Sequence, residues 1–372
     1  MKSVFFILSF QFLISSPILS QVSSECSCFS LKTADTVVFC RNHDAVLSNC
    51  MIVFNPRNVY KEGFEFEDEV SPKWTAKYSS ITFNVLGVGF AVSGMNEKGL
   101  AIGHMGFSEA KYQPKDDRPV VDQIQFITYI LDNCANTSEV ISTADKVRIS
   151  DESTTREHYF VCDAQGNTAI LEHIQGKLVV YTNETMPFSI LSNDNYEKSL
   201  KYLEDYQGFG GNNIIPERNF GVKEIMAIGC SYLKNYESSK KNNIISSSFE
   251  LLNNIGFNKY PPPDNANVDE NYGTQFTTVF DLRNQTIYFK TKSNTTIRII
   301  NLNKFQSECP SPIMMLEAET ESTGIVNSLF ENYSKEKNLK YVNARLKKSG
   351  YPNEIIEFLA SYPESYKCKN NE

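Results

Sequence analysis

The chain has 372 residues, 41% apolar and 22% charged, which suits one large or two modest globular domains with a real core and excludes general disorder. A formal charge of −8, with 36 Lys and Arg and no basic stripe interleaved with aromatics, argues against a nucleic-acid partner. Nine cysteines are plentiful for a reducing cytosol and too sparse for a miniature disulfide scaffold.

In chain order, Met1 to Ser20 carries Lys2 and then an apolar stretch ending in Pro17, Ile18, Leu19 and Ser20, the layout of a cleaved secretory signal. Gln11 and several serines interrupt a run already short for a membrane anchor, and no later segment is apolar for long enough to cross a bilayer. Gln21 to Glu25 is a short polar interval. Asn136, Asn183, Asn284, Asn294 and Asn332 each open an Asn-x-Ser/Thr triplet, candidate glycosylation sites that agree with secretion or with a lysosomal or other endomembrane lumen.

The segment from Cys28 to Phe39 alternates around Thr33 to Thr36 and predicts a strand, a tight turn and a second strand, with Cys26 at a sheet edge and Arg41 to Asp44 back beside it. Ser80 to Ile102 predicts hairpin structure turning at Asn96-Glu97-Lys98-Gly99, and Val120 to Cys134 an amphipathic helix. Strands are expected across 158–183, split at Ala164 to Asn167 and Gln175 to Lys177. Helical stretches fill Ile190 to Tyr260, and strands return from Gly273 to Leu302 with a turn at Leu282 to Gln285. Strands early and late with helices between favour an α+β layered body over regular βα alternation. After Cys309 the character changes, with helical candidates at Ile325 to Tyr333 and Ala344 to Leu359. Cys309 and Cys368 bracket this tail, so a disulfide between them would pin it to the body.

No HExxH, Walker loop, dinucleotide glycine loop or paired CxxC occurs, and Cys26-Ser27-Cys28 suits neither zinc nor a thioredoxin-type site. No metal or cofactor is expected. The four histidines, 43, 104, 158 and 173, are scattered, and each reads as an ordinary polar or half-buried side chain. The odd cysteine count leaves at least one thiol without an intrachain partner, and up to four disulfides among the rest are not paired by spacing. On pattern alone Arg41 and Asp44 read as a surface ion pair.

The stretch from Cys26 to Asp44 resembles the start of the choloylglycine hydrolase and penicillin V acylase family, the cysteine branch of the N-terminal nucleophile hydrolases. Further matches follow in order: Asn55-Pro56-Arg57-Asn58; Gly94-Met95-Asn96-Glu97-Lys98-Gly99-Leu100; Ser192-Asn193; and Gly273-Thr274-Gln275-Phe276 leading into Val279-Phe280-Asp281. The resemblance covers roughly Cys26 to Lys304. It implies a four-layer αββα sandwich, here with a C-terminal helical extension, and hydrolysis of a linear amide carbon–nitrogen bond through a thioester. It implies Cys26 as the nucleophile with its own α-amine as base, Arg41 and Asp44 flanking it, and an oxyanion site from the Asn193 side chain and the Gly106 backbone N–H. Asn96 falls to the turn. The Cys26 to Arg41 spacing is one residue shorter than in familiar members, which a tighter turn at Thr33 to Thr36 absorbs; Cys28 as nucleophile would need several residues removed from that hairpin. Arg218 lies one position from the place of the late family arginine.

A free α-amine at Cys26 cannot come from a signal cut after Ser20, so residues 21–25 are expected to be a propeptide removed by attack of the Cys26 sulfur on the preceding carbonyl. The expected organisation is signal 1–20, propeptide 21–25, hydrolase domain 26–308 and extension 309–372. The expected substrate is a small N-acyl amide: a conjugated bile acid, an acyl amide lipid or a penicillin V type molecule. Familiar members often form homo-oligomers. Two other readings stand beside this one. A papain-like peptidase needs a histidine paired with a cysteine at a helix start, whereas Cys26 precedes a strand. A secreted glycoprotein of the same fold without catalysis would keep the Glu25–Cys26 bond or tie Cys26 to Cys28, Cys40 or Cys50.

Overall fold

The alternation after Cys26 becomes a hairpin. Strand Ser27–Lys32 runs antiparallel to Val37–Ala45, with Ser27 opposite Asn42 and Cys28 opposite Arg41. Its turn is as tight as the shortened spacing requires: Thr33 N–H donates to Thr36 O at 2.8 Å and Thr36 N–H to the Thr33 hydroxyl at 3.1 Å. The computed structural model describes residues 26–46, 50–153, 155–217, 221–238, 243–257, 271–347 and 350–369.

The hairpin belongs to a seven-stranded sheet in the order Ile190–Leu191, Ser27–Lys32, Val37–Ala45, Gly273–Asp281, Thr286–Thr291, Arg298–Asn301, Gly324–Ile325. A nine-stranded sheet runs Lys177–Thr182, Thr168–Ile174, Glu157–Cys162, Ala101–Gly106, Ala91–Asn96, Ser80–Asn84, Met51–Asn55, Met314–Glu317, Glu331–Asn332. The inner faces meet through aromatic rings: Phe39 lies 5.8 Å from Phe160, and Phe83 5.6 Å from Phe276. Such burial of apolar surface between two sheets is what makes the strands' alternation pay.

Helices cover both outer faces. Helix Gln123–Asn133 presents Phe126, Ile127, Ile130 and Leu131, spaced for one helical face, to Leu100, Ile102, Tyr159 and Val161 of the nine-stranded sheet. Asp122 caps it, accepting from Ile124 N–H at 2.9 Å. A second helix, Thr137–Lys146, follows at once under an Asn136 cap; its few apolar residues hid it in the sequence. On the other side lie Tyr196–Leu203, Val222–Ser238 and Ile244–Ile255, the last tied to the hairpin by Asn42 Nδ2 donating to Leu252 O at 2.8 Å. The molecule is therefore the expected α+β, four-layer αββα sandwich, with helices Lys335–Leu346 and Asn353–Ser361 in its C-terminal part.

Two expectations for that part are corrected. Ile325 to Tyr333 is not a helix: Gly324–Ile325 extends one sheet, Glu331–Asn332 edges the other, and only a short 3-10 turn, Asn327–Leu329, lies between. Open sheet edges on both sides override a local pattern too short to settle its own period. Ala344 to Leu359 is not one helix either, because Gly350 and Pro352 fall between the two that form, and proline cannot continue a helix.

The Cys309–Cys368 disulfide forms, with Cα atoms 5.7 Å apart. The seven other cysteines are free and buried, so of up to four bridges one exists. The last strand, Lys367–Cys368, pairs with Val59–Glu62, and Val342, Leu346, Ile356 and Leu359 pack on Phe64 and Phe90. Asn338 accepts from Val88 N–H at 3.1 Å, and at Gly87 a Cβ would stand 2.6 Å from Val342, so only a residue without one lets the loop lie this close to the helix.

Candidate active site

Cys26 stands one residue before the first strand, buried, at the end of the hairpin where Arg41, Asn42, His43 and Asp44 return. Residues two apart on a strand share a face, so Arg41 and His43 point the same way. Both reach the sulfur: Arg41 Nη2 donates to Sγ at 3.7 Å, and His43 Nδ1 lies 3.8 Å from it. The Asp44 carbonyl lies 3.9 Å from Sγ. Arg41 is fixed by a second bond, Nη2 to His104 O at 2.8 Å, and its stem crosses Gly103, where a Cβ would come within 3.0 Å of Arg41 Cδ. The partner strand has a bulge between Thr274 and Phe276, opposite Asp44 and His43, which re-aims the backbone beside the site. Phe276 then stacks on the His43 ring at 4.6 Å.

In the uncut chain burial pushes the Cys26 thiol up to about 11; Arg41 opposes this and Asp44 adds to it. The sulfur is thus a thiol that needs a base. The Cys28 thiol is pushed up further still by its burial, and it sits within the strand, not at its start.

The strand Ile190–Leu191 pairs with the hairpin so that Cys28 faces Leu191 and Phe29 faces Ile190. Asn193 follows two residues after that strand, in the direction that leads back along the hairpin towards Cys26. Asn193 Nδ2 donates to Gly106 O at 2.9 Å, which brings together the two residues named for an oxyanion site. Arg218 lies outside the described residues.

Behind Asn193 is a buried relay. His158 Nδ1 lies 3.0 Å from Glu172 Oε1 and Nε2 2.7 Å from Ser192 O. The ring bridges the two, and Glu172 also accepts from Tyr196 N–H at 2.9 Å and Asn195 Nδ2 at 2.6 Å. Neither side chain is exposed, which makes one-sided removal costly. Glu172→Gln is expected to lower unfolding stability by about 3–5 kcal/mol. A urea midpoint within error of the parent's would refute a stabilising role for the His158–Glu172 pair.

The family model for linear amide C–N hydrolases of the choloylglycine hydrolase family matches residues 26–315, beginning at the cysteine itself. The chain belongs to that family. It is a choloylglycine hydrolase-type amidase, an enzyme that cleaves linear amides of acyl groups with an N-terminal cysteine nucleophile. Among curated relatives it is 23% identical over 266 residues to the penicillin V acylase of Pectobacterium atrosepticum, covering 63% of this chain and 69% of that protein. It is 25% identical over 323 residues to the bile salt hydrolase/transferase of Clostridium perfringens, covering 75% and 93%. The penicillin V acylase structure from Agrobacterium tumefaciens superposes with a TM-score of 0.70 at 20% identity, over 83% of this chain and 98% of that one, a likeness of fold.

Within this choloylglycine hydrolase frame, the ordered motifs prove to be mostly scaffold. Asn96 accepts from Lys98 and Leu100 N–H and donates to Leu131 and Cys134 carbonyls, all within 3.2 Å, so it ties the turn to the outer helix as expected. Arg57 bridges Glu97 at 3.2 Å and Glu308 at 3.3 Å around a shallow polar depression. That depression is at the turn end of strand Ala101–Gly106, whereas the cysteine site is at the other end. The reading of the histidines as ordinary missed His43 and His158. Their signal was weak: His43 is betrayed only by lying between Arg41 and Asp44, two residues from the arginine. Among the described residues no three His, Cys, Asp or Glu side chains converge as a metal site requires.

Proposed function

We propose that the chain is made as a secreted or lumenal precursor, with residues 1–20 a signal and 21–25 a propeptide, and that its mature form begins at Cys26. The observation that carries this reading is the Cys26 sulfur held between the Arg41 guanidinium and the Asp44 carbonyl at the start of the hairpin. The free α-amine takes the thiol proton, an exchange that needs little tuning because the two groups titrate close together in water. The thiolate attacks the amide carbonyl carbon and the amine leaves. Water then opens the thioester. Arg41 favours the thiolate, Asp44 balances the ammonium form of the new N-terminus, and Asn193 with the Gly106 N–H stabilises the tetrahedral oxyanion.

The lumenal reading is supported by the Cys309–Cys368 disulfide and by the leader-like start. Among the described residues no helix is long and apolar enough to cross a membrane. Of the candidate glycosylation sites, Asn183, Asn284 and Asn332 are exposed, whereas Asn136 and Asn294 are half-buried. Asn294 Nδ2 donates to both Thr320 O and Ser322 O, so a glycan there would break one of these bonds. Asn284 Nδ2 is likewise engaged, donating to Asp281 Oδ2 at 2.8 Å, so Asn183 and Asn332 are the sites we assign first.

For the substrate we propose an acyl amide with a long hydrocarbon acyl part, as in acyl amide lipids. Phe276, stacked on the His43 ring at 4.6 Å, gives that side of the sulfur an aromatic, uncharged character. A panel of purified amides tests it: N-acylethanolamines of graded chain length, taurine- and glycine-conjugated bile acids, and penicillin V, with amine release as readout. The expected result is kcat/KM rising with acyl length and exceeding that for penicillin V by about tenfold or more, since each buried CH2 contributes about 0.8 kcal/mol. A preference for penicillin V or for the bile-acid conjugates would overturn the lipid assignment and leave the family assignment intact.

A further inference from the structure

We propose that His43 is the catalytic base of maturation: its Nδ1 takes the proton of the Cys26 thiol and so releases the sulfur to attack the carbonyl carbon of Glu25. The proposal rests on the self-processing reading above and supplies what that reading lacks. In the mature enzyme the α-amine is the base, but before the cut the same nitrogen is the amide of the Glu25–Cys26 bond, and an amide nitrogen has no basic lone pair. Burial meanwhile keeps the thiol protonated at neutral pH. Another group has to take the proton.

His43 meets the geometric requirement. Nδ1 is 3.8 Å from Sγ, the residue is 7% exposed, and Phe276 holds the ring in a stack at 21°. Among the described residues Nε2 has no hydrogen-bond partner, so the ring is not committed to another structural bond. The neutral ring that accepts at Nδ1 carries its own proton on Nε2. Burial, followed by the charges of Arg41 and Arg345 and the nearby His104, pushes its titration well below the ordinary value, so the ring is neutral before the step and holds the thiol proton only until the Cys26 nitrogen takes it. Once formed, the thiolate has the Arg41 guanidinium 3.7 Å away. The other two histidines near the site are already committed: His104 Nδ1 lies 2.8 Å from Glu157, and both His158 nitrogens are engaged, by Glu172 and by Ser192 O.

The steps balance. Nδ1 removes the thiol proton, and sulfur forms a bond to the Glu25 carbonyl carbon. The tetrahedral intermediate collapses with cleavage of that carbon's bond to the Cys26 nitrogen, which takes the proton back from the imidazolium. What remains is a Glu25 thioester on Cys26 and a free α-amine. Water hydrolyses the thioester, giving the Glu25 carboxylate and the Cys26 thiol. From that point the α-amine is the base.

The test follows newly made full-length chain in a cell-free system that permits disulfide formation, sampled by intact mass, for the parent, Cys26→Ala, His43→Asn and His43→Leu. Asparagine keeps a hydrogen-bond acceptor near the Nδ1 position without basicity, and leucine removes the polarity altogether; either variant that melts as Cys26→Ala does reports on the chemistry. The expected result is release of the segment before Cys26 in the parent and a slowing of about 100-fold or more in both His43 variants. Added hydroxylamine, which cleaves thioesters, is expected not to restore their rate, because the step removed precedes the thioester. Processing of either folded variant at the parental rate overturns the assignment of His43, and so does recovery of that rate with hydroxylamine. A parent that retains Glu25 overturns the self-processing reading itself, a different result from either of these.

Discussion

Cys26→Ala is expected to abolish both reactions of the sulfur at once. The purified variant should keep residue Glu25 attached, where the parent begins at Cys26, and its amidase rate should fall by about 10⁴-fold or more, the scale on which loss of a nucleophile is felt. The fold should survive, because among the described residues the polar contacts of the Cys26 sulfur, to Arg41, His43 and Asp44, are all long at 3.7–3.9 Å, and its removal vacates little volume. Intact-mass analysis alongside a kinetic assay separates the two losses. An N-terminus at residue 26 in the variant would show that another protease makes the cut, and the sulfur would then be a nucleophile for substrate only.

The second large effect is expected at Asn193. An amide nitrogen has two protons, and the Gly106 carbonyl uses one of them at 2.9 Å. We propose that the other meets the oxyanion of the tetrahedral intermediate formed at the Cys26 sulfur. Asn193→Ala should lower kcat by about 10²–10³, or roughly 2.7–4 kcal/mol of transition-state stabilisation, with KM changed by only a few fold. A variant that loses affinity while kcat holds would move Asn193 from the oxyanion to the binding of substrate. Its thermal stability should drop by no more than about 1–2 kcal/mol, the usual range for a lost hydrogen bond of this type.

Much of this site could be read from the sequence, for a definite reason. Cys26, Arg41 and Asp44 are brought together by one hairpin, so their contact is fixed by local alternation and a turn whose length can be counted. Asn193 required a long-range pairing, Ile190–Leu191 against Ser27–Lys32, and resemblance to a family supplied it. His158 and Glu172 face each other across the hairpin that turns at Ala164 to Asn167, so their meeting could be counted from that turn, whereas the approach of Ser192 O to the same ring could not. His43 was in plain view, but a histidine on a strand gives no sign of its own that it will lie 3.8 Å from a sulfur. The tail misled for a different reason: Ile325 to Tyr333 answers to sheet edges rather than to its own spacing, Gly324–Ile325 pairing with Arg298–Asn301 and Glu331–Asn332 with Met314–Glu317.

The disulfide between Cys309 and Cys368 has a topological effect as well as a structural one. It closes the chain into a covalent ring spanning 59 positions, and the ring encloses both C-terminal helices and the strands that join the two sheets at their edges. A single peptide-bond break anywhere inside that ring yields two polypeptides that travel as one molecule until a reductant separates them. In a protease-rich lumen, such a clipped form has the mass of the intact chain plus one water and differs from it on a gel only after reduction.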